Sequence, residues 1–423
     1  MFGKNSRTTN WNTMKKNLYL LLLMLLAVAC QKNENLIVKE ESNNIEELLD
    51  FEQRLKQPFG VPDFTQVLPG YLQSVGLHVQ PVDNRKAALG RVLFYDKNLS
   101  RDGSVSCASC HHQDRAFSDG LELSTGIEGK RALRNSMALA NVASVSAHYS
   151  PINGVTFPFL WDGRAMSIAD LSRMAFANEH EMGLTMPQVV EQVKKQLYYA
   201  HLWKQLFGHF EVSEPDILSC ISEFVGAIGS HDSKLDRALT TAKGDINIPI
   251  GVDTTVVIRS LYYGGNDTTL TVTITGLPGF SLSEHRGRDI FVANCTKCHS
   301  PIRPFQEVFA ACNGLEMAYK DAGMAATTGR SEDMGVFKSP SLRNITLTAP
   351  YMHDGRFKTL EQVVEFYSNG VKPHANLHPL LRRPDGSTSL HLTVDQKKDL
   401  VAFLRTLSDP DIAQDKRFSN PFR

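Results

Sequence analysis

The chain has 423 residues, 42% of them apolar, which is enough to bury a substantial core and to form two domains or slightly more. Its 45 basic and 45 acidic residues cancel to zero net charge, so the balance points away from nucleic acid, although a local patch for a charged redox partner stays compatible with it.

Near the N-terminus Lys15-Lys16 precede an apolar run from Leu18 to Val28 that ends Leu26-Ala27-Val28-Ala29-Cys30. This is the pattern of a lipoprotein signal with a small-residue cleavage site, and it predicts a signal peptide over 1–30 with Cys30 as the lipidated first residue. The run is too short to span a bilayer, and Met14 is a more usual start than Met1. Export to the periplasm follows, with a lipid anchor as the membrane contact. Residues 31–65 read as tether and entry segment, polar and without periodicity from Gln31 to about Asn44, the folded body beginning near Ile45.

A helix over Arg85 to Leu99 delivers the chain to Ser106-Cys107-Ala108-Ser109-Cys110-His111, whose Cys-x-x-Cys-His pattern recurs at Cys295-Thr296-Lys297-Cys298-His299. With 7 Cys and 14 His, chance would place this pattern about 0.004 times in such a chain. The spacing sets two thiols one helical turn apart, where they can add to the two vinyl groups of one haem while the adjacent imidazole binds its iron. Each copy therefore implies one covalent haem c. A thioredoxin-like pair needs no following His, and a zinc site would want further clustered ligands.

Between the copies, helix starts are signalled at Ser167, at Thr185-Met186-Pro187-Gln188 and at Ser213-Glu214-Pro215-Asp216, each a capping residue with an acid or amide three on. Behind the last, Ile217, Ile221, Phe224, Val225 and Ile228 repeat at helical spacing as one buried stripe. Residues 241–280 change character: Val256-Val257-Ile258 and Leu270 to Thr275 are β-branched and alternate around Gly264-Gly265-Asn266-Asp267, which predicts an inserted hairpin. Helix resumes at Ser283, and Thr393-Val394-Asp395-Gln396 caps a last helix with Leu400, Phe403, Leu404 and Leu407 on one face. The fold class is mainly α, with two cytochrome c-type haem domains over 66–240 and 281–423 and the β-rich insertion between them.

The Cys residues divide into the anchor Cys30, four haem thiols and two others, Cys220 and Cys312, which could pair. Because Cys220 lies on an apolar helical face, a buried free thiol is the favoured state.

Beyond the two motifs, Arg115-Ala116-Phe117-Ser118-Asp119-Gly120, Trp161-Asp162-Gly163-Arg164-Ala165, Glu181-Met182-Gly183, Pro340-Ser341-Leu342-Arg343-Asn344 and Pro350-Tyr351-Met352-His353-Asp354-Gly355 follow in order. Over about residues 85 to 410 the chain resembles the bacterial di-haem cytochrome c peroxidase family, which includes the MauG-like branch. The resemblance implies an N-terminal haem that reacts with hydrogen peroxide, a C-terminal haem where electrons enter from a small c-type cytochrome or copper protein, calcium between them, and a homodimer as a possible assembly. It makes His111 and His299 the proximal iron ligands, Glu181 the acid-base carboxylate, Trp161 the ring between the haems, and Asn135, Thr348 and Pro350 the calcium ligands, the last through its carbonyl. A carboxylate in a partly apolar pocket suits heterolytic O–O cleavage, which needs one proton taken and returned. Hard oxygen donors suit calcium.

Three positions depart from the family pattern. Where a His caps the N-terminal iron this chain has Ile127, so that haem is expected open to peroxide without prior reduction, with His112 or His148 the first suspects should something cap it. A family pocket Gln is matched by Leu171, and the distal Met of the second haem by Tyr367, as in the MauG-like branch, with Met352 and Met334 as fallback thioethers. The resemblance thus implies a peroxidase, with two alternatives: a MauG-like oxidase that modifies a protein substrate through a high-valent iron state, or a non-catalytic electron carrier.

Overall fold

A computed structural model of the chain describes residues 61–74, 79–142, 159–241, 255–259, 269–273, 277–300 and 308–422. The signal over 1–30 with Cys30, most of the tether, His148 and the turn Gly264 to Asp267 lie outside the described residues. Among the described residues the fold is mainly helical, with two small two-stranded antiparallel sheets.

The first half is built from α1 (Gly70–Ser74), α2 (Asn84–Tyr95), α3 (Ile168–Ala177), α4 (Met186–Lys195), α5 (Leu197–Phe207), α6 (Glu214–Ala227) and α7 (Lys234–Thr241). Asp83 caps α2 by accepting from Arg85 N and Lys86 N, and Ser167, Thr185 and Ser213 start α3, α4 and α6 as their spacing predicts. The second half has α8 (Leu282–Asn294), α9 (Ala325–Thr328), α10 (Leu360–Glu365) and α11 (Val394–Arg405). Helix α8 begins just ahead of the expected Ser283, because Ser281 and Glu284 cap each other's backbone there. Thr393 and Gln396 do the same for α11.

Each half closes on a helix crossing of the same design. In the first, α2 lies against α6, and Ile217, Ile221, Phe224, Val225 and Ile228 are all buried in the contact core. A Cβ added at Gly90 would stand 1.9 Å from the Cys220 carbonyl oxygen and 2.9 Å from Phe224 Cβ. In the second, α8 lies against α11, whose Leu400, Phe403 and Leu404 are buried with Leu407, and a Cβ at Gly287 would stand 1.8 Å from the Asp399 carbonyl oxygen and 2.9 Å from Phe403 Cβ. Backbone touches backbone at both crossings, which only glycine allows. Cys220 is a buried free thiol at the first crossing, and Cys312, also free and buried, lies elsewhere.

The two halves are joined by buried polar links. Arg343 donates to both Asp236 oxygens, at 2.9 and 3.0 Å, and to the Tyr71 hydroxyl at 2.9 Å. Burial alone would raise the Asp236 carboxyl, but Arg343, Ser233 and Tyr71 hold it below its ordinary value. The chain's end returns to the first core: Ile412 and Phe418 are buried there, and the Phe418 carbonyl accepts from Tyr95 Oη at 2.7 Å. Strands β1 (Thr255–Arg259) and β2 (Thr269–Thr273) pair antiparallel with Thr255 opposite Thr273, where the alternating pattern predicts a hairpin. Strands β3 (Ala310–Ala311) and β4 (Phe337–Lys338) form the second sheet.

Replacing either crossing glycine tests this closure. Gly90→Val and Gly287→Val should each destabilise the holoprotein by about 1–3 kcal/mol or more, since helix backbones must separate, whereas Gly70→Ala, which meets nothing within 4 Å, should be near neutral. Thermal unfolding of the three variants decides it.

Candidate haem cavity and catalytic site

Both Cys-x-x-Cys-His motifs adopt one tight turn. The Cys110 and His111 amides donate to the Cys107 carbonyl at 3.2 and 3.1 Å, and the Cys298 and His299 amides to the Cys295 carbonyl at 3.2 and 2.8 Å. Two thiols and an imidazole are thereby presented from a single turn of backbone, as covalent haem attachment requires.

Each imidazole is oriented by a backbone carbonyl. His111 Nδ1 lies 2.7 Å from the Phe117 oxygen and His299 Nδ1 lies 2.9 Å from the Pro340 oxygen. A carbonyl only accepts, so Nδ1 carries the proton in both rings and Nε2 is left with the lone pair that binds a metal. Burial lowers the pKa of both imidazoles, more than these hydrogen bonds raise it, which favours the neutral ligand form. For Phe117 to reach His111 the chain turns through two residues with positive φ, Ala116 at 51° and Phe117 at 63°. Non-glycine residues held so are a strained arrangement kept for a purpose.

One cavity of about 1060 Å³ joins the motifs and is lined by Cys110 and His111 from the first and by Cys295, Cys298 and His299 from the second. It is as large as the largest ordinary small-molecule pockets, which run to ~1,000 Å³. Burial pushes Cys107 up to about 12, Cys110 to about 11 and Cys295 to about 12, the reverse of the lowered thiols of redox-active pairs. Donor chemistry, ring orientation and space all fit two covalent haem groups.

Glu181 lines the cavity on the side of the first motif. Asn178 Nδ2 donates to its Oε1 at 2.6 Å, while the Ile127 amide donates to its carbonyl at 3.0 Å. Burial raises the Glu181 carboxyl above its ordinary value, and Asn178, Arg164 and His180 offset only part of this. Leu171 lines the same cavity. Ile127 is fully buried beside Gly183 rather than on the cavity wall, and His112 is exposed at the surface, so neither stands over the first motif.

Trp161 stands on the cavity wall, its Nε1–H donating to the Asn135 carbonyl at 2.9 Å and its own carbonyl accepting from Lys338 N at 2.8 Å. The next residue, Asp162, is buried against Arg134 and Arg164, both at 2.6 Å, and Arg134 also grips Asp321 through two hydrogen bonds of 2.7 and 2.8 Å. Asn135, Thr348 and Pro350 each line the cavity. Asn135 Nδ2 donates to the Leu121 carbonyl at 2.9 Å, which turns Oδ1 the other way, and the Thr348 and Pro350 carbonyls accept no backbone amide among the described residues. These three oxygens are neutral hard donors of the kind that fit calcium with water.

On the second motif's side, Tyr367 falls on a π-helical turn, Phe366–Gly370, that follows α10. Leu360, Val363, Val364 and Tyr367 all line the cavity, so the one face read from their helical spacing runs from α10 through Tyr367 on the π turn. Asn313 Nδ2 donates to Tyr367 Oη at 3.3 Å and to Met352 Sδ at 3.7 Å, so phenol and thioether converge on one amide. Burial pushes the phenol up to about 12. Met352 lines the cavity, whereas Met334 is not among its lining residues, its backbone carbonyl accepting from Asn376 Nδ2 at 3.1 Å. Asn178, Asn313, Arg134 and Lys338 carry no sequence motif of their own, and only their neighbours in space reveal them.

The chain matches the family model described as di-haem cytochrome c peroxidase over residues 84–244. It is 31% identical over 330 residues to the methylamine utilization protein MauG of Methylorubrum extorquens, covering 77% of this chain and 79% of that protein. It is 30% identical over 392 residues to the cytochrome-c peroxidase IdrP2 of Pseudomonas sp. (strain SCT), covering 86% and 95%. Among solved structures it is similar to a MauG-like protein associated with microbial copper homeostasis, at a TM-score of 0.63 and 27% identity, over 85% of this chain and 98% of that one.

Infrared titration tests the setting of Glu181. A protonated-carboxyl band absent from Glu181→Gln should vanish with rising pH at a midpoint above the ordinary ~4.3. In Asn178→Ala, which loses a donor to the ionised form, the midpoint should climb further. A midpoint unmoved by Asn178→Ala would show that the hydrogen bond does not control this carboxyl.

Proposed function

Because the chain belongs to the di-haem cytochrome c peroxidase family, we propose that this oxidoreductase reduces hydrogen peroxide to water with electrons from a small periplasmic c-type cytochrome or copper protein. The observation that carries the reading is Glu181, a carboxyl of raised pKa held by Asn178 in the cavity that the first motif lines. One haem c would be held by Cys107, Cys110 and His111 and the other by Cys295, Cys298 and His299, and when bound they supply iron for O–O cleavage and the electrons that complete it.

Glu181 supplies the proton traffic. Its ionised form accepts a proton from one peroxide oxygen and hands it to the departing one, a contribution of about 10²–10⁴-fold in rate. Asn178 keeps Oε1 fixed while Oε2 does this work. Trp161 lines the cavity with its ring held by the Asn135 carbonyl and its backbone by Lys338, which supports a role as relay for an electron crossing it. Calcium bound by Asn135 Oδ1 and the Thr348 and Pro350 carbonyls would stiffen the same wall. The signal pattern ending at Cys30 supports a lipid-anchored periplasmic protein.

A second reading has an observation of its own. Tyr367 Oη and Met352 Sδ both face the second motif's side of the cavity. A phenolate is a hard anionic donor that favours ferric iron and lowers the potential, which suits a MauG-like oxidase acting on a protein substrate; a thioether suits the plain peroxidase.

Steady-state peroxide turnover by the holoprotein tests the two readings: fast turnover with a reduced small cytochrome supports the peroxidase, and none with that donor overturns it. With Ile127 packed away from the cavity, the fully oxidised protein should react with peroxide without prior reduction, and only low-spin signals with no reaction would show that another group caps the iron. Tyr367→Phe should alter the low-spin ferric spectrum and raise that haem's potential; an unchanged spectrum and potential would leave Tyr367 as a packing residue. Trp161→Phe should leave the first peroxide reaction fast and slow electron delivery from the second haem, whereas a slowed first step would make Trp161 a pocket residue.

A further inference from the structure

Of the four arginines on the cavity wall, Arg134 is committed to Asp162 and Asp321, Arg164 to Asp162 and Arg343 to Asp236, while Arg383 donates to Asn294 Oδ1 at 3.1 Å. Lys338 lies on the same wall. No carboxylate lies within ion-pair distance of it among the described residues, and its ammonium stands 5.5 Å from the ring centroids of Phe159 and Phe309. Burial alone pulls its pKa down to about 8, as expected of a cation without a counter-charge.

Its backbone is as fixed as its charge is unpaired. Lys338 N donates to the Trp161 carbonyl at 2.8 Å, its strand pairs Lys338 with Ala310, and two residues on Pro340 orients His299. The ammonium therefore sits on a rigid segment that touches both the Trp161 backbone and the second proximal imidazole. Such a cation in a low-dielectric wall calls for an anion, and the protein side chains of the described wall leave that place to something that enters the cavity.

We propose that Lys338 is a positioning residue whose ammonium pairs with a propionate carboxylate of a haem seated in this cavity, and so sets that haem's potential. The inference rests on the haem cofactors of the family and not on the choice between peroxidase and oxidase. A fixed positive charge beside a haem favours the ferrous form, which carries one positive charge fewer. Two aromatic faces hold the ammonium without neutralising it.

The test is spectroelectrochemical titration of both haems in the purified holoprotein, with covalent haem counted separately. Lys338→Met keeps the length of the side chain and removes the charge. It should lower one potential so that the ferric-to-ferrous ratio at a fixed applied potential rises about tenfold, ~59 mV for a one-electron couple, and Lys338→Arg should restore it. If Lys338→Met loses haem while Lys338→Arg keeps it, the pairing is supported, because charge is then what seats the group. Unchanged potentials at full haem content, or haem lost equally from both variants, overturn the proposal. Peroxide turnover plays no part in this readout, so failure here is distinct from failure of the peroxidase reading.

Discussion

The arrangement depends on two backbone carbonyls. Phe117 O and Pro340 O each take the Nδ1 proton of an imidazole that the Cys-x-x-Cys-His turn leaves otherwise free to rotate. The first comes from six residues along the chain, through a strained left-handed turn; the second from 41 residues away, on the segment that continues from β4. Each motif is thus completed by backbone that is not part of it. The Pro340 segment also supports Trp161 and presents Lys338, so the orientation of one proximal ligand and the shape of the wall between the motifs are set by the same few residues.

Charge in the cavity is handled by the same economy. Arg134, Asp162, Arg164 and Asp321 form one network beside Trp161, and Arg343 with Asp236 and Tyr71 ties α1, α7 and the Pro340 segment together. Paired in this way, these groups brace the wall; removing one partner of such a buried pair typically costs ~3–5 kcal/mol. Glu181 and Lys338 stand outside those pairs, and burial moves their pKa values in opposite directions, up for the acid and down for the amine. Groups whose charged form is disfavoured in a shared cavity are the ones able to respond to what binds there.

The repeated helix crossing explains why a chain of this length can hold two such motifs facing one space. Gly90 on Cys220 and Gly287 on Asp399 let α2 meet α6 and α8 meet α11 at backbone contact. The crossing helix of each half leads into its motif, α8 directly into Cys295 and α2 through the short loop to Cys107. The C-terminal strap, with Ile412 and Phe418 buried in the first core, then couples the two halves.

Local chemistry was legible in the amino-acid order alone. The two motifs, the caps at Ser167, Thr185, Ser213 and Thr393, the stripe from Ile217 to Ile228 and the hairpin pattern around 256 and 270 all depend on neighbours a few residues apart, so spacing encodes them. Which distant segments would meet was decided only by packing. The widening of the helix to a π turn at Phe366–Gly370, the packing of Ile127 in the interior, Asn178 on Glu181 and Asn313 between Tyr367 and Met352 have no periodic signature. Each is fixed by one contact or by the width of one turn, a matter of a few ångströms between elements that sequence spacing does not specify.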